Sequence, residues 1–318
     1  VSLEHSGLIP ATHLGAPAVV LQNAFLRVAV LPDLGAKIAS LVYRPQGFET
    51  LAQPTTRAYR RPSYGAPFAD YDTSGLDDMF PTIDACAYPL PPFAGAALPD
   101  HGEVWSQPWD MSVEGDLLVG TVRSQALPLT LTRRMGIERD RLLLSYRVRN
   151  EGDAPAAFLW ACHGLLACDE DSRIELPGVT RVVVVHDSPR LGARGTEHPF
   201  PASQTVAGAP CRLDRIAPRR AGTTEKYSVK GPVPIGEASL TLNHHRLRVT
   251  VRFPRELVPY LGVWLNQGGY KGEYHAALEP TTGSNDDLAT AERHGTAVTL
   301  APGASMTFAC SVTVTAVA

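Results

Sequence analysis

Four stretches of this chain set acid–base side chains among apolar or turn-forming neighbours. Leu98-Pro-Asp-His-Gly-Glu-Val-Trp-Ser-Gln-Pro-Trp109 gathers Asp100, His101, Glu103, Trp105 and Trp109 in a loop. Histidine titrates near neutrality and can give or take a proton. Tryptophan offers a flat apolar face that stacks on the C–H face of a sugar, while flanking acids bond its hydroxyls. The alternatives are a core anchor at Trp109 and a backbone-bonded loop histidine at His101. In Phe158-Leu-Trp-Ala-Cys-His-Gly-Leu-Leu-Ala167, His163 interrupts an otherwise apolar run. An imidazole buried without a partner costs roughly 1–3 kcal/mol, so His163 needs a bonded neighbour or a task. In Ala276-Ala-Leu-Glu-Pro-Thr-Thr-Gly-Ser-Asn285, Glu279 ends an apolar strand before a Pro and a turn. Partial burial lifts a carboxyl pKa towards neutrality, which suits a general base; a surface glutamate at a turn is the alternative. Ser74-Gly-Leu-Asp-Asp-Met-Phe-Pro-Thr-Ile83 carries Asp77 and Asp78, able to bond hydroxyls or to cap a turn. Lys226 and Tyr227 form a weaker, isolated candidate.

Several other chemistries lack their signatures. G-x-S-x-G, H-E-x-x-H, Walker A and G-x-G-x-x-G do not occur. His244 and His245 are adjacent and point apart in an extended chain, so no metal site is expected. Arg57, Arg60 and Arg61 could grip a phosphate, but a solvated loop face is the simpler reading.

The elements that must hold these groups are strands. Leu142, Leu144, Tyr146 and Val148 share one face of Arg141 to Arg149, and Leu247, Val249, Val251 and Phe253 one face of Arg246 to Phe253. Thr307 to Val314 alternates likewise. This period of two belongs to half-buried antiparallel strands. Further strand-like runs are Phe25 to Leu31, Lys37 to Tyr43, Val119 to Arg123, Leu129 to Arg134, Ala156 to Ala167, Val182 to His186, Ala238 to Leu242 and Leu261 to Leu265. Pro32-Asp33-Leu34-Gly35, Asn150-Glu151-Gly152-Asp153 and Asn243-His244-His245 supply the turns. No long capped amphipathic helix and no internal repeat is apparent. The pattern predicts an all-β protein, a large antiparallel β-sandwich. Pro54 to Pro108 and Asp187 to Thr224 break the strand rhythm and read as long insertions of the kind that carry function. Nothing resembles a linker, so a single domain over residues 1–318 is expected.

Composition narrows the function classes. The chain has 318 residues, 44% of them apolar and 19% charged, which permits a sizeable core. Its net charge of −3 and lack of a basic tract argue against nucleic acid or an anionic membrane as partner. No apolar run is long enough to span a bilayer. The five cysteines are odd in number and form no C-x-x-C pair, so buried free thiols in a reducing compartment are expected. The opening V-S-L-E-H-S-G has neither a basic nor an apolar leader region. A cytoplasmic protein, monomeric or weakly dimeric, is the expectation.

Taken together and in this order, these stretches resemble the aldose 1-epimerase (galactose mutarotase-like) superfamily. Leu21 to Leu41 resembles its opening hairpin, and Gly-Leu-Asp-Asp-Met-Phe-Pro-Thr resembles the Gly-Trp-Asp-Glu-Cys-Phe-Pro-Thr of one bacterial branch. Asp100-His-Gly-Glu-Val-Trp, Trp160-Ala-Cys-His and Leu278-Glu-Pro-Thr-Thr-Gly follow at family-like positions, so the resemblance runs from about Leu21 to Val314. It implies a β-supersandwich that binds a free or modified monosaccharide and interconverts its α and β anomers without metal or cofactor. Glu279 then corresponds to the base that takes the O1 proton and His163 to the acid that protonates the ring oxygen. His101 corresponds to a second histidine near the ring, and Asp77, Asp78 and Trp109 to sugar-binding groups. Leu76 and Met79 depart from the branch pattern. The family's arginine has no clear match, nor has its further aspartate, because Glu225-Lys226-Tyr227 differs. A non-catalytic sugar-binding protein of the same fold is the competing expectation. An enzyme acting on an acidic or phosphorylated sugar would show arginines in its pocket.

Overall fold

The computed structural model describes residues 7–317. The segment on which the leader expectation rests, residues 1–6, lies outside them. Two antiparallel sheets, of 12 and 8 strands, carry the chain. Across the larger run Gly7–His13, Ala16–Gln22, Leu26–Leu31, Lys37–Tyr43, Leu76–Met79, Ala161–Ala167, Tyr274–Thr281, Tyr260–Gln267, Thr223–Val229, Arg181–Val184 and Glu197–Pro199, and the short Phe48–Glu49 pairs with Lys37–Tyr43 as the twelfth strand. The smaller contains Arg173–Glu175, Glu237–Leu242, Leu247–Arg252, Ser305–Ala316, Arg141–Asn150, Leu129–Glu138, Leu117–Arg123 and Asp110–Glu114. Among the described residues the one α-helix, Leu288–Arg293, is six residues long, and Asp287 caps it by accepting from the Thr290 N–H. The predicted all-β class is therefore the observed one.

The period of two explains the layering. In Arg141–Asn150 the buried residues alternate as the sequence pattern requires, Leu142, Leu144, Tyr146 and Val148 facing inward. These side chains join those of the large sheet in one apolar core. Tyr146 stacks on Phe308 at 5.1 Å, and both pack against Trp160 from the other layer. One expectation changes: Ala156 to Ala167 is not one strand. Ala156–Phe158 pairs with Val298–Leu300 in a separate small sheet, and Ala161–Ala167 enters the large one. Leu159 N–H bonds to Pro81 O and Trp160 N–H to the Thr282 hydroxyl, so the chain changes partners there. All five cysteines are free; Cys162 and Cys310 are buried and the other three only partly so.

The centre of the large sheet is buried on both faces. Ala161–Ala167 is covered along nearly its whole length. One face meets the core, and the other lies beneath Phe68 and His101 of the Pro54 to Pro108 insertion. This gives a rigid floor of strands under a roof of irregular chain, the usual way to hold loop side chains in place.

Candidate active site

Register brings the acid–base residues together. Ala161 pairs with Thr281 and Leu165 with Ala277, which brackets His163 and Glu279 on neighbouring strands and one face. His163 Nε2 lies 3.6 Å from Glu279 Oε1. Across the next strand Glu279 faces Gly262. A Cβ there would sit 3.0 Å from Glu279 Oε2, so the glycine leaves room for the carboxylate. One strand further, Lys226 places its ammonium 3.5 Å from Glu279 Oε2 and 2.8 Å from Asp286 Oδ2. The insertion supplies the opposite wall. His101 stacks on Phe68 with ring centres 3.9 Å apart and lies edge-on to His163 at 5.2 Å.

Phe68, His101, His163, Lys226 and Glu279 line a cleft of about 240 Å³ with Thr73, Ile83, Asp84, Asp100, His186, Thr224, Trp264 and Tyr270. That is below the ~300–1,000 Å³ of drug-sized pockets and suits a small ligand. Trp264 lies nearly parallel to His163 at 6.1 Å and meets Tyr270 edge-on at 5.8 Å. The cleft thus combines aromatic faces with convergent polar groups.

His101 is held with care. It adopts φ +60, a left-handed conformation that costs a residue with a Cβ roughly 1–2 kcal/mol. Its N–H bonds to Ile83 O at 2.6 Å, and its Nδ1 lies 3.0 Å from Asp100 Oδ1. The next residue, Gly102, comes so close to Phe80 that a Cβ would lie 2.3 Å from its carbonyl oxygen. The turn is pinned to the Leu76–Met79 strand end, and His101 is pinned with it.

Burial sets the electrostatics. It pushes the Glu279 carboxyl above the usual range; Lys226 pulls the other way, and Asp286 adds to the rise. It pushes the His163 imidazole well below its ordinary value, with His101 and Lys226 adding to the effect. Burial alone would also lower Lys226, but Asp286 and then Glu279 raise it, so the ammonium is charged. Asp84, His186 and Asp286 bring donor atoms within 4.8 Å of one another, the kind of set that takes a cation. Lys226 already provides that positive charge on Asp286, so a metal is not assigned to the trio.

The other sequence candidates are elsewhere. Adjacent strand residues face opposite ways, which separates Asp77 from Asp78. Asp77 shares the face of His163 but does not line the cleft. Lys37 lies 2.8 Å from it while donating to Asp72 and Ser74 O, and burial pushes its carboxyl up to about 6. Asp78 turns into the core, where it accepts from Arg133 at 2.6 Å and from Trp160 Nε1 at 3.0 Å. Trp109 is buried too, its Nε1–H donating to Val104 O and its ring lying under Arg133 at 5.0 Å. The assignment of Asp77, Asp78 and Trp109 to ligand binding is therefore corrected: ion pairs and packing occupy them. Glu103 is structural as well, accepting the N–H groups of Gln125 and Ala126 and the hydroxyls of Tyr64 and Ser124.

Sequence reading missed Phe68, Trp264, Tyr270, Asp84, His186 and Asp286. Asp286 lies one residue beyond the Glu279 stretch, and Trp264 hides in an apolar strand. Lys226 was the isolated candidate that the register makes central. Tyr227, next to it, faces the core and donates to Leu213 O. No arginine lines the cleft among the described residues; Arg60 instead lies over Tyr71 at 4.8 Å.

The space over Gly262 gives a direct prediction. Gly262→Ala should displace the Glu279 carboxylate by a few tenths of an ångström and leave the protein folded. Turnover of a substrate whose proton Glu279 accepts should fall about tenfold. Unchanged turnover would show that the position of this carboxylate does not matter.

No family model matches the chain, and no curated protein matches it in sequence. Solved structures do match in fold. A galactose mutarotase-like protein from Lactobacillus casei ATCC 334 is 18% identical, with a TM-score of 0.67 over 94% of this chain and 100% of that one. A galactose mutarotase related enzyme from Lactobacillus acidophilus is 16% identical, with 0.65 over 94% and 97%. A galactose mutarotase-like protein from Clostridium acetobutylicum is 13% identical, with 0.66 over 98% and 99%. Identities this low speak for architecture alone. The two large antiparallel sheets of this chain, along nearly their full length, have the galactose mutarotase-like fold.

Proposed function

We propose that this chain is an aldose 1-epimerase-like enzyme that interconverts the α and β anomers of a monosaccharide. The observation that carries the reading is the approach of His163 and Glu279 to 3.6 Å inside one aromatic-walled cleft. A sugar binder needs aromatic faces and hydroxyl partners but no matched acid and base.

The reaction requires two proton transfers. Glu279 takes the O1 proton, the C1–O5 bond breaks, and C1 becomes an aldehyde carbon. His163 gives a proton to O5. Rotation about C1–C2 and closure onto the other face of the carbonyl yields the other anomer, with both transfers reversed. The step balances when the pair enters with one proton, on His163, and leaves with one, on Glu279; burial of the imidazole opposes its charged form and so makes that proton easy to give up. His101 and Phe68, stacked above His163, bound the side where the ring would lie. Trp264 and Tyr270 offer it apolar faces.

The test is anomer exchange followed by saturation-transfer NMR across a panel of aldoses, amino sugars, uronic acids and sugar phosphates. Faster exchange of one sugar in the presence of protein supports the reading. Binding without acceleration would overturn it in favour of a sugar binder. His163→Asn should slow the exchange by about 10²-fold, in the range of one positioned acid, and should flatten one limb of its pH profile. An unaltered profile would remove His163 from the proton-transfer role.

A further inference from the structure

The geometry points to Lys226, held by Asp286, as a positioning residue that keeps the Glu279 carboxylate ionised and aimed into the cleft. This rests on the reading of Glu279 as the base and goes beyond it. The difficulty it answers is physical. A carboxyl this buried favours its neutral form, and the nearest imidazole, His163, is buried too and resists taking the proton. A base that starts protonated accepts nothing. A positive charge within 4–6 Å is the ordinary remedy, commonly worth a shift of about one to three pKa units.

Ala161–Ala167 contributes His163 at 3.6 Å. Tyr260–Gln267 places Gly262 opposite Glu279 and contributes no charged side chain. Thr223–Val229 contributes the Lys226 ammonium at 3.5 Å. The roof brings His101, and the turn after the Glu279 strand brings Asp286, backed by Asp84 and His186. Lys226 is therefore the permanent cation that approaches the carboxylate most directly. The same charge opposes the protonated form of His163, so it strengthens that imidazole as an acid while it favours the ionised form of Glu279.

Asp286 makes the arrangement adjustable. It draws the ammonium to 2.8 Å, closer than Glu279 does, and so divides the lysine's charge between two carboxylates. It fixes Lys226 in place but opposes ionisation of Glu279 by its own negative charge. Lysine and aspartate thus act on Glu279 in opposite senses, which suits a base that must both take and return a proton.

The signs give the test. Removing Lys226 leaves burial and Asp286 unopposed, so the proton affinity of Glu279 must rise. Removing the Asp286 charge frees the ammonium for Glu279, so its proton affinity must fall. The carboxyl ¹³C resonance of Glu279, assigned by its loss in Glu279→Gln, is titrated in the intact protein and in Lys226→Met and Asp286→Asn. Its midpoint should move up by about one unit in the first and down in the second. The acid limb of kcat/KM for anomer exchange should move in the same two directions. Lys226→Arg should restore much of the midpoint. Should Lys226→Met fail to fold, Asp286→Asn and Lys226→Arg still carry the test. Midpoints that stay put, or move the same way in both variants, overturn the proposal. Opposite shifts without any anomer exchange would uphold the tuning and overturn the epimerase reading instead.

Discussion

Glu279→Gln is expected to slow protein-dependent anomer exchange by about 10²–10⁴-fold while sugar binding changes little. The amide keeps the size and one hydrogen-bonding oxygen of the carboxylate but cannot accept the O1 proton. The site tolerates the change sterically, because glutamine is isosteric with glutamate and Gly262 on the facing strand adds no side chain. Lys226 keeps its closer partner Asp286 at 2.8 Å, so the substitution does not strand a buried cation. The measurement compares exchange rate with ligand-induced line broadening on the same samples. A loss of both together would mean that Glu279 serves binding rather than proton transfer. Retained exchange would move the base to another residue, and Asp286 would be the next to substitute.

The proton balance also predicts how rate depends on pH. The Glu279 carboxyl is raised by burial, so ionised base is lost as pH falls through that raised value rather than through the ordinary carboxylate range. Activity should therefore decline on the acid side at a higher pH than an exposed glutamate would give.

Much of this arrangement could be read from the sequence, for identifiable reasons. Strands with one buried face announce themselves, as Leu142, Leu144, Tyr146 and Val148 do, because the pleat forces alternation. Glu279 and His163 stand out because a titratable group in an apolar run needs a cause. Their meeting does not show in sequence, since it depends on the pairing of strands far apart in the chain. Lys226 lies in a strand that opens on a polar run, Thr223 to Lys226, and only the register reveals that Thr224 and Lys226 line the cleft. Apolar runs carry the least local information. The break at Leu159-Trp160 has no glycine or proline to mark it, and what ends the first strand is a change of hydrogen-bonding partner. Asp77 and Asp78 were misread because neighbours in sequence looked like one binding feature, although the pleat sends them to opposite faces of the sheet.

The corrected place of Asp78 carries the largest stability effect. Asp78→Ala should lower the free energy of unfolding by about 3–5 kcal/mol, because it leaves an unpaired cation in the core. Arg133 is fully buried and donates to Asp78 and to Ala36 O, over the ring of Trp109. Trp160 Nε1 would lose its acceptor as well, and Trp160 belongs to the aromatic cluster that joins the two sheets. The carboxylate itself never reaches the cleft, so ligand affinity of the folded fraction should be unchanged. Urea denaturation followed by tryptophan fluorescence reads the first quantity, and NMR titration with sugar reads the second. The double substitution Asp78→Leu with Arg133→Met should recover most of the loss, since a buried pair often exchanges for apolar side chains at little cost. A small change in stability combined with lost sugar binding would contradict this assignment and return Asp78 to the ligand. The contrast separates two acids that the sequence presents alike: Asp78 is a tie between layers, and Glu279, reached by a lysine and a histidine, lines the cleft.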